Sequence, residues 1–486
     1  MNEKKSIVYN YAMNIILTMS SFIFPLITFP YASRMLKPEG MGKVVFSTSV
    51  ISYFILISQM GIPKYGIREC AKVKDDRLRL EKTVQELIVI NIVMCLCAYI
   101  LLAAAIIFVP RLKNCKIILE VMSISILFTT LGVEWFYQAL EKYTYITVRS
   151  IIFKFVAMLA MFLLIHEEKD YVIYGGISIF ASSASGILNF LNLNKYIHLF
   201  SKKKLDIKKH IKPILIFFSM TCATTIYLNM DVVMLGFMQT DTEVGVYNAA
   251  IKIKSVLVSV IIALGTVLLP RVTYYIEKGK VEKLYNIAKR AIQFVYFLTL
   301  PLIMVFTVCA KDCILILAGS DYGNAELPMK IMLPTVFFIG LTNVMGIEVL
   351  IPTGNEIKVL ISEVIGAIVN LIFNFTFIPK YGAIGAAIGT LLAEMAVFAV
   401  QFILYKEVFT KIFRKVHIMK NIISLLVAIL VSKLIFKGQI NGIVFMIKYG
   451  IVFGGIYIIS LYLLKDEFMK AIVEFLNRKL PVIGKR

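Results

Sequence analysis

The residues with the clearest chemical potential share one face of a single apolar segment. Their spacings of four, three and four positions place them on one side of an α-helix: Asn248, Lys252, Ser255 and Ser259. A lysine inside an apolar segment is costly unless an anion or water accompanies it. We therefore predict a cationic wall that contacts an anionic substrate through Asn248, Lys252 and Ser255. A second interpretation stays open, in which Lys252 lies near a helix end and extends its ammonium group into water.

The first apolar segment carries a second polar face. Asn10 and Asn14 lie on one side of it, and Arg34 follows Pro25 and Pro30 near its end. Two prolines in one helix predict a bend or break that frees backbone carbonyls beside a cavity. A guanidinium group at Arg34 suits bidentate contact with a phosphate. The alternative is that Arg34 simply ends the helix at the outer surface.

Carboxylates also occur within or at the ends of the apolar segments. Such groups suit coupling to protons or Na⁺, or pairing with Lys252, and structural ion pairing is an equally open alternative. The spacings resemble no catalytic dyad, metal site or nucleophile with its base, so we expect neither an enzyme nor a bound metal or other cofactor. The four candidate coupling residues are Asp231, Glu363, Glu394 and Glu134.

The elements that hold these residues are set by composition. The chain has 486 residues, of which 59% are hydrophobic and 17% charged, against roughly 25% charged in a soluble protein. The apolar residues form about fourteen runs, each long enough to cross a hydrocarbon layer of about 30 Å. Barrel strands would be shorter and would alternate. We therefore predict an all-α integral membrane protein.

The formal charge of +22 is explained by topology. Lysines and arginines gather in alternate loops, as in the run Lys202–Lys204, which is the pattern of cytoplasmic loops. This predicts that both termini are cytoplasmic and gives no reason to expect a nucleic-acid partner. Contact of the basic loops with anionic membrane lipid is an additional expectation.

The order of the segments predicts an internal repeat. Two sets of six helices, joined by the basic stretch 194–212, would share one orientation and be related by an axis along the membrane normal. The predicted division is a first lobe with its linker at 1–212, a second lobe at 213–404, and two further helices with a basic tail at 405–486.

Several local motifs resemble those of Wzx-type polysaccharide flippases, in the family's order along the chain. Where that family often has glycine in the fourth-helix motif, this chain has Ala139. The matching stretches are 29–42 (FPYASRMLKPEGMG), 61–69 (GIPKYGIRE), 134–142 (EWFYQALEK), 246–252 (VYNAAIK), 269–271 (LPR), 351–355 (IPTGN) and 378–386 (IPKYGAIGA).

The resemblance implies the fold of the multidrug/oligosaccharidyl-lipid/polysaccharide exporter superfamily, with two six-helix lobes around a central cavity. It also implies a substrate, an undecaprenyl-pyrophosphate-linked oligosaccharide moved from the inner to the outer leaflet of the bacterial cytoplasmic membrane by alternating access. Arg271, in the eighth-segment motif, joins the candidate substrate contacts on this basis. A polysaccharide polymerase and chain-length machinery are candidate partners.

Other functions stay open at this point. A flippase of a different lipid-linked precursor, such as lipid II or a teichoic acid unit, would use the same features. A small-molecule antiporter of the same superfamily would favour acidic cavity residues, whereas Lys252 and Arg34 favour an anion. A membrane polymerase or glycosyltransferase would need a sizeable outer loop for its catalytic groups, and the loops here are short.

Overall fold

The computed structural model describes residues 3–198, 205–278, 281–437 and 442–479. Across these ranges the chain is helical, with turns and short connections between helices and no strand. The α-helices are α1 Glu3–Gln59, α2 Ile62–Lys72, α3 Arg77–Phe108, α4 Pro110–Asn114, α5 Lys116–Gly132, α6 Glu134–Ala139, α7 Tyr143–Leu164, α8 Tyr171–Ile179, α9 Ser185–Leu193, α10 Lys208–Met238, α11 Asp241–Glu277, α12 Val281–Val308, α13 Ala310–Leu317, α14 Glu326–Asn343, α15 Glu356–Leu404, α16 Lys406–Phe413, α17 Ile418–Ile435, α18 Ile443–Leu463 and α19 Glu467–Lys479.

Two of these helices are too long for one crossing and contain a break. The helical path of α1 is interrupted at Lys37 (φ 53°, ψ 178°), just before Pro38. The path of α15 is interrupted at Gly382 (φ 53°, ψ −128°), where glycine tolerates a positive φ. Within the described ranges, 12 helical stretches are long and apolar enough to cross a membrane. Since the two broken stretches each supply two crossings, the prediction of about fourteen membrane helices is confirmed.

The first segment is not broken at its prolines, and the predicted bend there stays a prediction. The helix continues through Pro25 and Pro30, and its non-helical backbone lies at Lys37. A membrane helix tolerates proline where neighbouring groups satisfy the freed carbonyls. Near the end of this stretch, Ser33 Oγ and Arg34 Nη1 both donate to the Pro30 carbonyl, at 3.3 and 2.5 Å.

The chain packs into two compact units, Met1–Asn248 and Ala249–Arg486. In the first unit, α10 lies against α1 and α2, and glycines permit the close approach. A Cβ at Gly61 would meet the backbone of Phe217 and Phe218, and one at Gly236 would meet the ring of Phe46. The division between the two units falls inside α11. The internal repeat predicts boundaries near 212 and 404 instead, and these two boundaries stay predictions.

The second unit is built from the later helices, and polar groups join some of them. Within α15, Gln401 Nε2 donates to Ser362 Oγ across the break, at 3.1 Å. Tyr457 on α18 donates to Asn421 Oδ1 on α17, at 2.8 Å. Hydrogen bonds of this kind hold membrane helices together because the surrounding lipid offers them no competing partner.

Candidate functional site

The predicted polar face of α11 is helical throughout, as its spacing requires. Asn248 is buried, and Lys252 and Ser255 are half-buried. The Ser255 hydroxyl donates to the Ile251 carbonyl at 2.8 Å. Asn248 belongs to the first unit and Lys252 to the second, because the division falls between residues 248 and 249. The role of this face as a substrate contact stays a prediction.

The predicted polar face of α1 is open to its surroundings. Asn14 is exposed and Asn10 is half-buried. Thr18, one turn after Asn14, donates to the Asn14 carbonyl at 2.9 Å and is also exposed. Exposed polar groups along a membrane helix favour water over lipid beside them.

Of the two arginines predicted to contact substrate, the structure describes the side chain of one. Arg34 is exposed near the break in α1, with its guanidinium group against the Pro30 carbonyl. Arg271 lies in the stretch 263–274 of α11, outside the described side chains. Contact of either residue with substrate stays a prediction.

Sequence reasoning missed a lysine on α7. Lys154 Nζ donates to two hydroxyls of α1, Ser20 Oγ and Ser21 Oγ, both at 2.9 Å. Two turns earlier on α7, Thr147 donates to the Met13 carbonyl at 3.0 Å. These contacts form a polar seam between α1 and α7, within two stretches that are long and apolar enough to span a membrane.

A buried arginine accompanies this seam. The Arg149 side chain is 4% exposed, and its Nη2 lies 3.5 Å from Glu134 Oε2. Its guanidinium group also lies over the Tyr145 ring, 5.6 Å from the ring centroid. Glu134, a predicted coupling residue, is 47% exposed, and Gln138 Nε2 donates to its other oxygen at 3.1 Å. Glu134 thus makes a surface-accessible ion pair with a buried cation.

The other predicted coupling residues lie in different surroundings. Asp231 on α10 is half-buried and accepts a hydrogen bond from the Tyr247 hydroxyl, at 2.7 Å. On α15, Glu363 is exposed and Glu394 is buried. Among the described residues, no group of three or more histidines, cysteines, aspartates or glutamates is arranged to hold a metal ion. Whether these carboxylates couple transport to an ion stays a prediction.

A further carboxylate lies in a distorted helix. Glu348 is 1% exposed and occurs in the π-helical stretch Val344–Leu350 that follows α14. Such π-helical stretches are frequent at functional sites. Its Oε2 is buried, with no hydrogen-bond partner among the described residues.

The first unit contains a buried network near the start of α10. Glu86 on α3 is fully buried and accepts from Lys209 Nζ and His210 Nε2, both at 2.8 Å. The backbone N–H of Asp206 donates to it as well, at 2.7 Å. His210 Nδ1 lies 2.7 Å from the Tyr65 hydroxyl on α2. One carboxylate therefore connects the basic linker to α2 and α3.

The other end of α10 has its own polar connection. Arg111 on α4 forms an ion pair with Asp241, the first residue of α11, and its Nε donates to the Gly236 carbonyl at 2.8 Å. Nearby, a Cβ at Gly42 would meet the Asp241 backbone, and one at Gly245 would meet the Pro38 backbone. The turn after the α1 break and the start of α11 are therefore in backbone contact.

A family model described as "Polysaccharide biosynthesis protein" matches residues 7–275, more than half of the chain. The chain belongs to the polysaccharide biosynthesis protein family. A second model, described as MatE, matches residues 213–376. The resemblance to Wzx-type flippases of the exporter superfamily is confirmed by these matches.

Relatives of this polysaccharide biosynthesis protein carry a more specific name. A protein of Escherichia coli (strain K12) named "Putative O-antigen transporter" is 24% identical over 370 residues, which covers 76% of this chain and 89% of that protein. A protein of the same name from Shigella dysenteriae is 24% identical over 378 residues, covering 75% of this chain and 91% of that protein.

Solved structures share the fold. The lipid II flippase MurJ in an inward closed conformation matches with a TM-score of 0.71 at 17% identity, over 95% of this chain and all of that one. An inward-facing transporter of the multidrug resistance MATE family matches with a TM-score of 0.63 at 12% identity, over 83% of this chain and 99% of that one. These likenesses confirm the all-α transporter fold.

Proposed function

We propose that this protein is a flippase that moves an oligosaccharide linked to undecaprenyl pyrophosphate from the inner to the outer leaflet of the bacterial cytoplasmic membrane. The family match and the name of the two bacterial relatives support a polysaccharide precursor as cargo. The product would be a surface polysaccharide such as O-antigen, capsule or exopolysaccharide.

The observation that carries this proposal is the placement of cations within membrane-spanning helices. Lys154 lies on α7 and Lys252 on α11, each inside a stretch long and apolar enough to span the membrane. A charge at this depth requires an anion, water or a polar neighbour. The pyrophosphate of the carrier lipid supplies an anion, and its sugars supply hydroxyls for groups such as Asn14 and Asn248.

Alternating access is the mechanism that fits this fold. The polar head group would be enclosed by the protein while the polyprenyl tail stays in lipid. Asp231, Glu363, Glu394 and Glu134 are the proposed candidates for coupling transport to Na⁺ or protons. We place both termini in the cytoplasm, from the alternation of basic loops, and name a polysaccharide polymerase and chain-length machinery as partners on the outer side.

The test uses Lys252→Ala, with Lys254→Ala as the matched control on the same helix. Both lysines are half-buried on α11. A strain that depends on this protein for surface polysaccharide would express each variant, with protein level, surface polysaccharide and lipid-linked precursor measured together. Loss of a charge-assisted contact predicts at least about tenfold less export for Lys252→Ala, with precursor accumulation.

The control variant should export at the level of the unmodified protein. Normal export by Lys252→Ala at a normal protein level would exclude Lys252 as a substrate contact. Normal surface polysaccharide in a strain that lacks the whole protein would exclude the proposed function itself. Accumulation of lipid II in place of the polysaccharide precursor would assign the protein to a different lipid-linked cargo.

A further inference from the structure

Glu348 is a buried acidic residue with an unused hydrogen-bond acceptor. It is 1% exposed, and its Oε2 atom has no hydrogen-bond partner among the described residues. An ionised carboxylate without a partner is very costly in an apolar interior, whereas the neutral acid costs much less. These surroundings therefore favour a Glu348 carboxyl group that carries a proton.

No described charge offsets the cost of ionising Glu348. The π-helical stretch Val344–Leu350 packs against α12, α14 and α15. Lys289 pairs with Glu467 and Lys330 with Glu326, both at 2.6 Å, and Lys358 lies 4.3 Å from the centre of the Tyr405 ring. On these three helices, the described titratable side chains that are not exposed are Tyr285, Lys289, Tyr296, Glu326, Lys330, Lys358 and Glu394. None of these side chains acts electrostatically on Glu348.

The backbone around Glu348 departs from a regular α-helix. The Ile351 N–H donates to the Gly346 carbonyl, five positions earlier, at 2.9 Å, which is the π-helical pattern. Such turns are rare and are frequent at functional sites. An apolar side chain of similar size would fill the place of Glu348 at less cost. Packing alone therefore does not explain a buried acid on this distorted turn.

The class of ligand follows from the number of oxygen atoms at the site. A metal cation takes several oxygen ligands at once, and in the described part of the chain no three histidines, cysteines, aspartates or glutamates are grouped to hold one. Glu348 contributes a single carboxyl group. A proton needs only one oxygen atom, so a proton is the cation that Glu348 can bind.

We propose that Glu348 is the proton-binding site that couples cargo movement to a pH gradient. The proposal rests on the proposed flippase function, and it names the proton rather than Na⁺ as the coupling ion. Binding forms an O–H bond on the Glu348 carboxylate with a proton taken from water, and release returns that proton to water. Glu348 thereby joins the four candidate coupling carboxylates named above.

Burial links this proton to the conformation of the protein. The conformation described here encloses Glu348, so the protonated form adopts it readily. Release of the proton requires a conformation in which water reaches the carboxyl group. Because a ligand shifts the balance toward the conformation that binds it better, the proton concentration controls how much of the protein is enclosed in this way. One such site changes this balance by up to about tenfold per pH unit.

Infrared spectroscopy tests for the proton directly. The C=O stretch of a protonated carboxyl group is separate from the bands of a carboxylate, and the full-length protein in detergent would be recorded across a pH series. At neutral pH we expect a protonated-carboxyl band that is absent from Glu348→Gln. Glu356→Gln is the matched control, because Glu356 is exposed at the start of α15, and it should keep the band.

Transport in vesicles tests the coupling. The protein would be placed in vesicles that hold the lipid-linked oligosaccharide, and a pH gradient would be imposed. The unmodified protein and Glu356→Gln should change their transport rates by up to about tenfold per unit of gradient. Glu348→Gln should still equilibrate the cargo between leaflets, at a rate that does not depend on the gradient.

Glu348→Met separates a proton site from a structural residue. It replaces the carboxyl group with an apolar side chain of similar size, so it should unfold at a temperature equal to or above that of the unmodified protein. It should also transport without a response to the gradient. Glu348→Met carries the transport and infrared tests if Glu348→Gln does not fold.

Three results would overturn the proposal. The first is the same protonated-carboxyl band, or none, in the unmodified protein and in the Glu348 variants at every pH. The second is a gradient response that is shared by the unmodified protein and these variants, or absent from both. The third is a lower unfolding temperature for both Glu348→Gln and Glu348→Met, which would assign Glu348 a structural role. No transport by the unmodified protein under any condition would contradict the proposed function instead, and the infrared bands would still report whether Glu348 holds a proton.

Discussion

Arg111 and Asp241 are 130 positions apart in sequence and form an ion pair in the first unit. The Arg111 side chain is 25% exposed and the Asp241 side chain 11% exposed. Arg111 also lies over the Phe46 ring, 5.0 Å from its centroid. One arginine thereby joins α4, the second part of α1 and the start of α11.

We predict that Arg111→Gln destabilises the protein by about 1–3 kcal/mol, because a largely buried carboxylate and the Gly236 carbonyl lose their charged donor. Thermal unfolding of the purified protein in detergent measures this loss. Lys116→Gln is the control, since exposed pairs contribute roughly 0–1 kcal/mol. An Arg111→Gln variant that unfolds at the same temperature as this control would contradict the role given to the ion pair.

A second prediction concerns the glycine contact beside this pair. Gly245→Ala would press a methyl group into the Pro38 carbonyl, so we expect destabilisation of about 1–3 kcal/mol from overpacking. Gly455→Ala on α18 meets nothing within 4 Å and should be neutral or slightly stabilising. Equal unfolding temperatures for the two variants would show that the backbones are not in contact.

The Glu86 network supports a third prediction. Glu86→Gln leaves Lys209 and His210 without their carboxylate and should cost about 1–3 kcal/mol, since a buried charged acceptor of several hydrogen bonds is lost. Glu120→Gln, which alters an exposed side chain, should change stability by less than about 0.5 kcal/mol. Denaturation of the two variants in the same detergent provides the comparison, and similar values for both would exclude a structural role for Glu86.

A fourth prediction concerns pH and the last described helix. A hydrogen bond from Lys289, 2.6 Å long, lowers the pKa of the Glu467 carboxyl at the start of α19. A lowered pKa stabilises the folded state only while the carboxyl is ionised. This contribution is fully present above the unfolded pKa of about 4.3 and is lost as the pH falls through the lower folded value.

The measurement compares unfolding temperatures of the unmodified protein and Glu467→Gln across a pH series. The unmodified protein should be more stable at neutral pH, and the difference should shrink as the pH falls below about 4.3. His417 Nε2 also lies 3.8 Å from Glu467, so His417→Gln is included to separate its contribution. A difference that does not change with pH would rule out the Lys289 contact as its source.

The sequence was sufficient to predict the architecture. Apolar length and the alternation of basic loops give an all-α membrane protein with about fourteen helices, and the breaks at Lys37 and Gly382 explain how 12 helical stretches supply that number. The family motifs could also be recognised in the sequence, because each is a short continuous stretch. These features are local, or are repeated along the chain, and periodicity can detect them.

Contacts between helices that are distant in sequence could not be predicted in the same way. Lys154, like Lys252, is a lysine within an apolar segment, yet its polar partners Ser20 and Ser21 lie on α1 rather than on its own helix. His210 contacts Glu86, 124 positions away in sequence, and no local pattern indicates that contact. Helical spacing describes one face of one helix, so it does not reveal which helix covers that face.

Transport of a lipid-linked oligosaccharide across the membrane can be measured with the purified protein. The protein is placed in vesicles loaded on one leaflet with undecaprenyl-pyrophosphate-linked oligosaccharide, and the sugar's accessibility to a membrane-impermeant glycosidase on the other side is followed. We expect time-dependent exposure of the sugar with the unmodified protein, and at least about tenfold slower exposure with Lys252→Ala. Exposure at the rate of protein-free vesicles, from a folded and correctly inserted protein, would contradict it.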